Sequence, residues 1–254
     1  MTYYVCQRRS ARSLSDDRRV VAIVQARMGS TRLPGKVLKT VCGKTLLEHQ
    51  MERMLRAALL DAVVVATSVS PADDRIEDLV LSRGWMVYRG PEEDVLGRYA
   101  EAAAAFEANP VVRMTMDNPL MDPYVIDRVV ETYQNGSYDF VTNNLEATFP
   151  HGLDLEVFSR AALGIAHREA TKAFDREHVS PFIRDHPSRF RLGNVRSPRD
   201  LHHLRWTVDY PEDFEFVLAV YEMLYRDGEF FTSDDVLTLL ERHPDLRWIN
   251  ARWA

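Results

Sequence analysis

Short β-branched apolar runs recur along the chain, each followed by a stretch with helical spacing, and this alternation most constrains the fold. Val20 to Val24, Ala62 to Ala66 and Val111 to Thr115 read as buried strands, with shorter ones at Met86 to Tyr88 and Tyr138 to Thr142. Between them, Leu46 to Leu59, Ala72 to Ser82, Asp94 to Ala108 and Pro123 to Tyr133 read as helices. Strand–helix alternation predicts an α/β fold: a mostly parallel sheet with helices on both faces and right-handed crossovers. Ligands in such sheets sit at the carboxyl ends of the strands. The loops after Val24, Ala66 and Thr115 are therefore the expected site.

Past Phe149 the pattern loosens. Leu153 to Phe158 alternates like a half-buried strand, Arg160 to Glu169 and Glu177 to Asp185 read as helices, and Phe190 to Val195 and His203 to Val208 as strands. Pro211 to Tyr225 reads as a helix opened by its proline, and Ser233 as the cap of a last helix ending near Arg242. With 254 residues and no linker or repeat, residues 20–254 are expected to form one domain, with 143–205 as a smaller flanking lobe. Residues 1–19 carry five arginines and no apolar h-region, so they read as a polar, poorly ordered extension rather than a secretory signal.

The formal net charge of −6 argues against a nucleic-acid-coating surface, and no apolar run is long enough to span a membrane. The two cysteines, Cys6 and Cys42, fit neither a disulfide framework nor a zinc site, which suits a reducing cytoplasm. The histidines form no ligand pair, and no G-x-S-x-G elbow is present.

Against this acidic background one loop is basic. Gln25-Ala26-Arg27-Met28-Gly29-Ser30-Thr31-Arg32-Leu33-Pro34-Gly35-Lys36 follows the first strand and sets Arg27, Arg32 and Lys36 beside two glycines and two hydroxyls. Glycine lets backbone N–H groups approach an anion, and the cations match phosphate oxygens. The loop is not a Walker A motif: five residues separate Gly29 from Gly35, and Val37 follows Lys36. Nor is it a Rossmann fingerprint.

Two aspartates complete the pattern. Asp117 follows the strand Val111 to Thr115, and Asp209 follows His203 to Val208. Mg²⁺ takes one or two carboxylates together with water and phosphate oxygens, and two aspartates at one sheet edge suit it. The competing role for such residues is helix capping, which Asp122 before Pro123 and Asp213 fit well.

Ala26 to Lys36 resembles the signature loop of the sugar cytidylyltransferases of the 3-deoxy-manno-octulosonate and acylneuraminate type, closest to the spore-coat polysaccharide biosynthesis branch. Asp117-Asn-Pro-Leu and Asp209-Tyr-Pro-Glu-Asp213 resemble two further motifs of that family. The resemblance runs with gaps from Val20 to Val220. It implies a GT-A-like nucleotidyltransferase fold and a magnesium-dependent transfer of CMP from CTP to a sugar acceptor, an acidic sugar by class, for a surface glycan. It implies that the loop (Ala26, Arg27, Met28, Gly29, Ser30, Arg32, Lys36) wraps the triphosphate. It further implies that Arg32 and Lys36 act catalytically and that Asp117 and Asp209 hold Mg²⁺. Thr67, Ser68, Asp94 and Arg98 lie in nucleotide-contacting segments, although Asp94 also fits a helix start. Met116 departs from the pattern, standing where relatives usually have glycine, where a side chain would crowd the nucleotide.

Phe149-Pro-His151-Gly-Leu-Asp154-Leu-Glu156 and Arg176-Glu-His178 resemble the same branch. Strand periodicity sets Asp154 and Glu156 on one face, available to sugar hydroxyls, an amine or a second metal ion; Arg176 and His178 suit an acidic group. An edge-strand polar face and a helix-start ion pair are the structural alternatives. The resemblance also implies a homodimer paired through 143–205. Two other function classes remain at this level: a GT-A glycosyltransferase, weakened by the lack of a D-x-D pair at Asp117, and a catalytically weak nucleotide-binding module.

Overall fold

The computed structural model describes residues 18–253, so the expectation for the N-terminal extension, and Cys6 with it, lies outside the described residues up to Asp17. In chain order the elements are β1 (Val21–Gln25), β2 (Thr40–Val41), β3 (Lys44–Thr45), α1 (Leu46–Met54), β4 (Ala62–Ser68), α2 (Asp74–Ser82), β5 (Met86–Gly90), α3 (Val95–Ala105), β6 (Val111–Thr115) and α4 (Pro123–Asn135). Then come β7 (Phe140–Thr142), β8 (Glu156–Phe158), α5 (Arg160–Glu169), α6 (Ala173–His178), α7 (Pro181–Arg184), β9 (Leu192–Asn194), α8 (Pro211–Leu224) and α9 (Ser233–Arg242).

Seven strands form one sheet in the order β5-β4-β1-β6-β8-β7-β9. Every neighbouring pair is parallel except those made by β8, which runs against both β6 and β7. The strand pleat explains the two cores. Ala22 and Val24 face one side with α1, α4, α8 and α9, whereas Val21 and Ile23 face the other with α3 and α5. Because both faces are covered, β1 reads as an unbroken apolar run. No helix among the described residues is long and apolar enough to cross a membrane.

Five sequence expectations change. The first helix stops at Met54 rather than Leu59, because the Ala58 and Leu59 N–H groups donate to the Asp127 carboxylate at 2.9 and 2.8 Å instead of continuing the helical ladder. The helix expected over 177–185 is two short ones, broken by Val179 in a left-handed conformation (φ 71°). The strand expected from Leu153 is only Glu156–Phe158. Residues 203–208 form no sheet strand: Leu204, Trp206 and Val208 are buried, but so are Arg205 and Thr207, and the Trp206 and Val208 N–H groups bond to His151 O (2.6 Å) and Asp117 O (2.8 Å). Thr232, not Ser233, caps α9, accepting from the Asp235 N–H within a capping box.

Candidate active site

The loop after β1 folds back on itself. Gly35 N–H donates to Met28 O at 3.2 Å, and Gly35 sits at φ 67°, where a Cβ would be strained. A turn of 3-10 helix, Lys36–Leu38, follows and aims Lys36 inward. A buried aspartate fixes the loop from behind: Asp73 accepts from Met28 N–H at 2.7 Å through one oxygen and from Ser68 Oγ at 2.5 Å through the other. Ser68 and Thr67, at the end of β4, are wholly buried, and the Thr67 hydroxyl has no partner among the described residues. The carboxyl ends of β1 and β4 are thus tied together by Asp73, a residue that sequence reasoning missed.

The Asp117 and Asp209 segments, 92 positions apart in the chain, are stapled by the Val208 N–H and the Thr207 hydroxyl, both donating to Asp117 O. Gly152 permits this staple to lie against the preceding segment: a Cβ there would meet Thr207 N at 2.5 Å. Lys36 Nζ then lies between the carboxylates, 3.0 Å from Asp117 Oδ2, 2.9 Å from Asp209 Oδ1 and 2.7 Å from Val208 O. Lys36 is only 9% exposed. Thr115 Oγ1 donates to the second Asp117 oxygen at 2.5 Å.

Arg32 Nη1 stands 3.4 Å from Asp209 Oδ2 and stacks on Tyr210, 5.1 Å from its ring centroid. Burial alone would push the Asp209 carboxyl up, but Lys36, then Arg32 and Arg205, outweigh it and hold the group below the usual carboxylate range. Arg205 was not read from the sequence. Its guanidinium grips the fully buried Asp213 with two nitrogens (2.9 and 3.0 Å) and reaches Asp209 at 3.2 Å and His151 Nδ1 at 3.1 Å. Asp213 also accepts from the Asp209 and Tyr210 N–H groups, so its capping role and the placement of Asp209 are one construction. Asp122 caps α4 through Tyr124 N–H.

Met116 is 3% exposed and packs into the main apolar core, so its bulk is taken up by packing. Ala26 is buried, whereas Arg27 is half exposed, 3.8 Å from Glu177. Gly29 has open space around its missing Cβ, and Ser30 accepts from Leu33 N–H. Ala26, Arg27, Arg98, Glu177 and His178 line a small cavity of about 110 Å³. Arg98 is buried there, donating to Pro91 O at 2.7 Å, with no partner for its Nε among the described residues.

Other residues singled out from the sequence are bound among themselves. Arg176 pairs with Asp94 and donates to His167 O, while Asp94 caps α3 through Gly97 N–H. Glu156 takes Arg113 at 2.9 Å and Ser180 Oγ at 2.6 Å. Asp154 accepts from Gly152 N–H and lies 3.9 Å from His151 Nε2. Burial pushes its carboxyl up, and Glu156 and Asp117 add to that.

The oxygens converging on Lys36 Nζ are two carboxylates and a carbonyl, the hard-donor chemistry that magnesium accepts. The residues present therefore fit the metal that the sequence resemblance implies.

Comparison with known proteins gives the family. The family model for cytidylyltransferases matches residues 21–232. The spore coat polysaccharide biosynthesis protein SpsF of Bacillus subtilis is 34% identical over 235 residues, covering 89% of this chain and 95% of SpsF. The solved cytidylyltransferase of Leptospira borgpetersenii superposes with a TM-score of 0.85 at 30% identity, covering 91% of this chain and 97% of that one. A CMP:2-keto-3-deoxy-manno-octonic acid synthetase, solved with CTP, shares the fold at TM-score 0.62 and 20% identity, over 82% of this chain and the whole of that one. The chain belongs to the cytidylyltransferase family.

Proposed function

We propose that the protein transfers CMP from CTP to an oxygen of an acidic sugar, with release of pyrophosphate, to activate that sugar for a surface polysaccharide. The observation that carries this reading is Lys36 held between Asp117 and Asp209, with Arg32 beside them, at the carboxyl edge of a parallel sheet. The named activities of the family and of SpsF support the choice of nucleotide and product class.

In the reaction the acceptor oxygen attacks the α-phosphorus and the bond to the β-phosphate oxygen breaks. No covalent enzyme intermediate is needed: positioning and charge neutralisation suffice. Arg32, Lys36 and the amides of the Met28–Gly35 turn stabilise charge on the leaving pyrophosphate. Asp117 and Asp209 would hold magnesium, which supplies Lewis-acid stabilisation at the phosphate oxygens when bound. The cavity beside Ala26 and Arg98 receives part of the nucleoside, and His151 and Asp154 face the acceptor. We also read the chain as a homodimer paired through 143–205, where Phe174 and Leu145 are exposed apolar residues. Light scattering at the mass of one 29.3 kDa chain would contradict that.

The test is pyrophosphate release from CTP and Mg²⁺ with a panel of sugar acids. Release that requires both a sugar acid and CTP is expected. Tighter binding of ATP than of CTP, or sugar-nucleotide breakdown without pyrophosphate, would sink the reading.

A further inference from the structure

Magnesium and Lys36 compete for the same oxygens. The ammonium of Lys36 has three protons, and three acceptors from two chain segments meet it at 2.7 to 3.0 Å: Val208 O, Asp209 Oδ1 and Asp117 Oδ2. We infer that Lys36 is a resident stand-in cation, which must leave Asp117 and Asp209 before a divalent ion can take them, so that metal and nucleoside triphosphate enter together. The inference rests on the nucleotidyl-transfer reading for the identity of the second ligand.

The argument is one of charge and space. Two carboxylates bound to one nitrogen stand close enough to repel strongly without a cation between them. Arg32 and Arg205 reach Asp209, and Lys36 is what joins Asp209 to Asp117. With the ammonium in place a divalent ion meets both a filled position and a positive charge. A triphosphate changes the balance. Its oxygens offer the ammonium a richer set of acceptors, and Lys36 carries its charge on a flexible stem at the end of the phosphate loop. Once the lysine turns to phosphate, Asp117 loses its cation and Asp209 keeps only the two arginines, so the metal becomes the favoured partner between them. Nucleotide and metal are then positively coupled, and by linkage each raises the affinity for the other by one common factor. Lys36 has two tasks under this scheme: keeping the empty site folded and, later, holding the leaving group.

The experiment is Mn²⁺ titration followed by electron paramagnetic resonance, with no nucleotide present. It compares wild type with Lys36→Met, which keeps the stem, and Lys36→Arg, which keeps the charge. Lys36→Met should bind Mn²⁺ at least about tenfold more tightly than wild type, since a unit charge in contact with the site is removed. Lys36→Arg should stay as weak as wild type. Adding Asp117→Asn to Lys36→Met should abolish the gain, placing the ion at this site. Equal affinity in wild type and Lys36→Met would overturn the proposal, as would a gain that survives Asp117→Asn. Should Lys36→Met not fold, wild type alone decides: Mn²⁺ binding at micromolar concentration without nucleotide overturns the proposal, and binding there only once CTP is added supports it. Failure of the pyrophosphate assay would sink the proposed reaction while leaving the Mn²⁺ comparison readable.

Discussion

Two regions of the molecule handle charge in opposite ways. At the carboxyl ends of β1 and β6, ionic groups from three distant segments point at one another: Lys36, Asp117, Asp209 and Arg32 make one cluster. In the flanking lobe, charges pair separately: Arg176 with Asp94, Glu156 with Arg113 and Arg189 with Glu169. A cluster of charges sharing one centre can be redistributed when an anionic ligand arrives, because its members have alternative partners. Separate pairs have none and act as fasteners. The difference assigns chemistry to the first region and architecture to most of the second.

The sharpest way to break the comparison is at Arg205, which belongs to both kinds. It fastens the fully buried Asp213 and also reaches Asp209. Arg205→Met leaves a buried carboxylate without its partner, which costs about 3–5 kcal/mol. Urea melts should show that loss. A shift below about 1 kcal/mol, typical of an exposed pair, would mean that Arg205 is not the anchor of the α8 start.

Next in size are the clustered groups themselves. Asp117→Asn and Asp209→Asn should each lower turnover by on the order of 10²–10³, the scale for losing one preorganised charge. The double variant should be little worse than the worse single one, since residues acting as a unit are not additive. Lys36→Ala should reduce kcat more than it weakens CTP binding, because leaving-group charge grows toward the transition state. Near-wild-type turnover in Asp209→Asn would dissolve the cluster as a catalytic unit.

A pH experiment separates the regions more gently. Burial works to raise the Asp213 carboxyl, yet Arg205 and the Asp209 and Tyr210 amides prevail and depress it. A group depressed in the folded state stabilises fully above its unfolded value of about 3.9, and that stability is lost as pH falls through the folded value. Wild type should therefore lose stability between pH 5 and pH 3 more steeply than Asp213→Asn (bounds on the order of that unfolded value). Parallel curves would exclude Asp213 as a contributor.

What the sequence made legible follows the same division. The β1, β4 and β6 runs were readable because a strand buried on both faces is apolar throughout, and the parallel sheet then dictated which loops meet. Hence the Lys36 loop and Asp117 could be grouped before any coordinates, whereas Asp209 was reached through a strand over 203–208 that does not form and through the family resemblance. Arg205 and Asp73 were not readable, since their roles depend on backbone amides and carboxylates that only the tertiary fold brings near. Residues 203–208 misled for a related reason. Their apolar residues Leu204, Trp206 and Val208 alternate as in a strand, but their amides are used to staple Asp117 and His151 rather than to extend the sheet. In the lobe, local pattern could not distinguish an acceptor contact from an ion pair, because Arg113 and Glu156 lie on different strands and meet only through the antiparallel β6–β8 register.

The smallest expected effect tests the fastener side at Asp94. One oxygen accepts from Gly97 N–H at 2.9 Å and caps α3, and the other takes Arg176. Burial would raise this carboxyl, but Arg176 and the Gly97 amide hold it low. Asn caps about as well as Asp, so Asp94→Asn keeps the helix start and removes only the charge opposite Arg176. Both side chains of that pair are partly exposed, at 35% and 23%, so solvent screens it. Its loss should cost under about 1 kcal/mol. Arg176 keeps its bond to His167 O at 2.7 Å, which limits any rearrangement of α6. The KM for CTP and the turnover should then both match wild type, with a thermal midpoint lowered by a few degrees at most, on the scale of about 1 kcal/mol for a large domain. The resemblance that places Asp94 in a nucleotide-contacting segment predicts the reverse pattern: an unchanged midpoint and a raised KM. Measuring both quantities on one variant decides between them, and a severalfold rise in KM at constant stability would move Asp94 from the fasteners into the site.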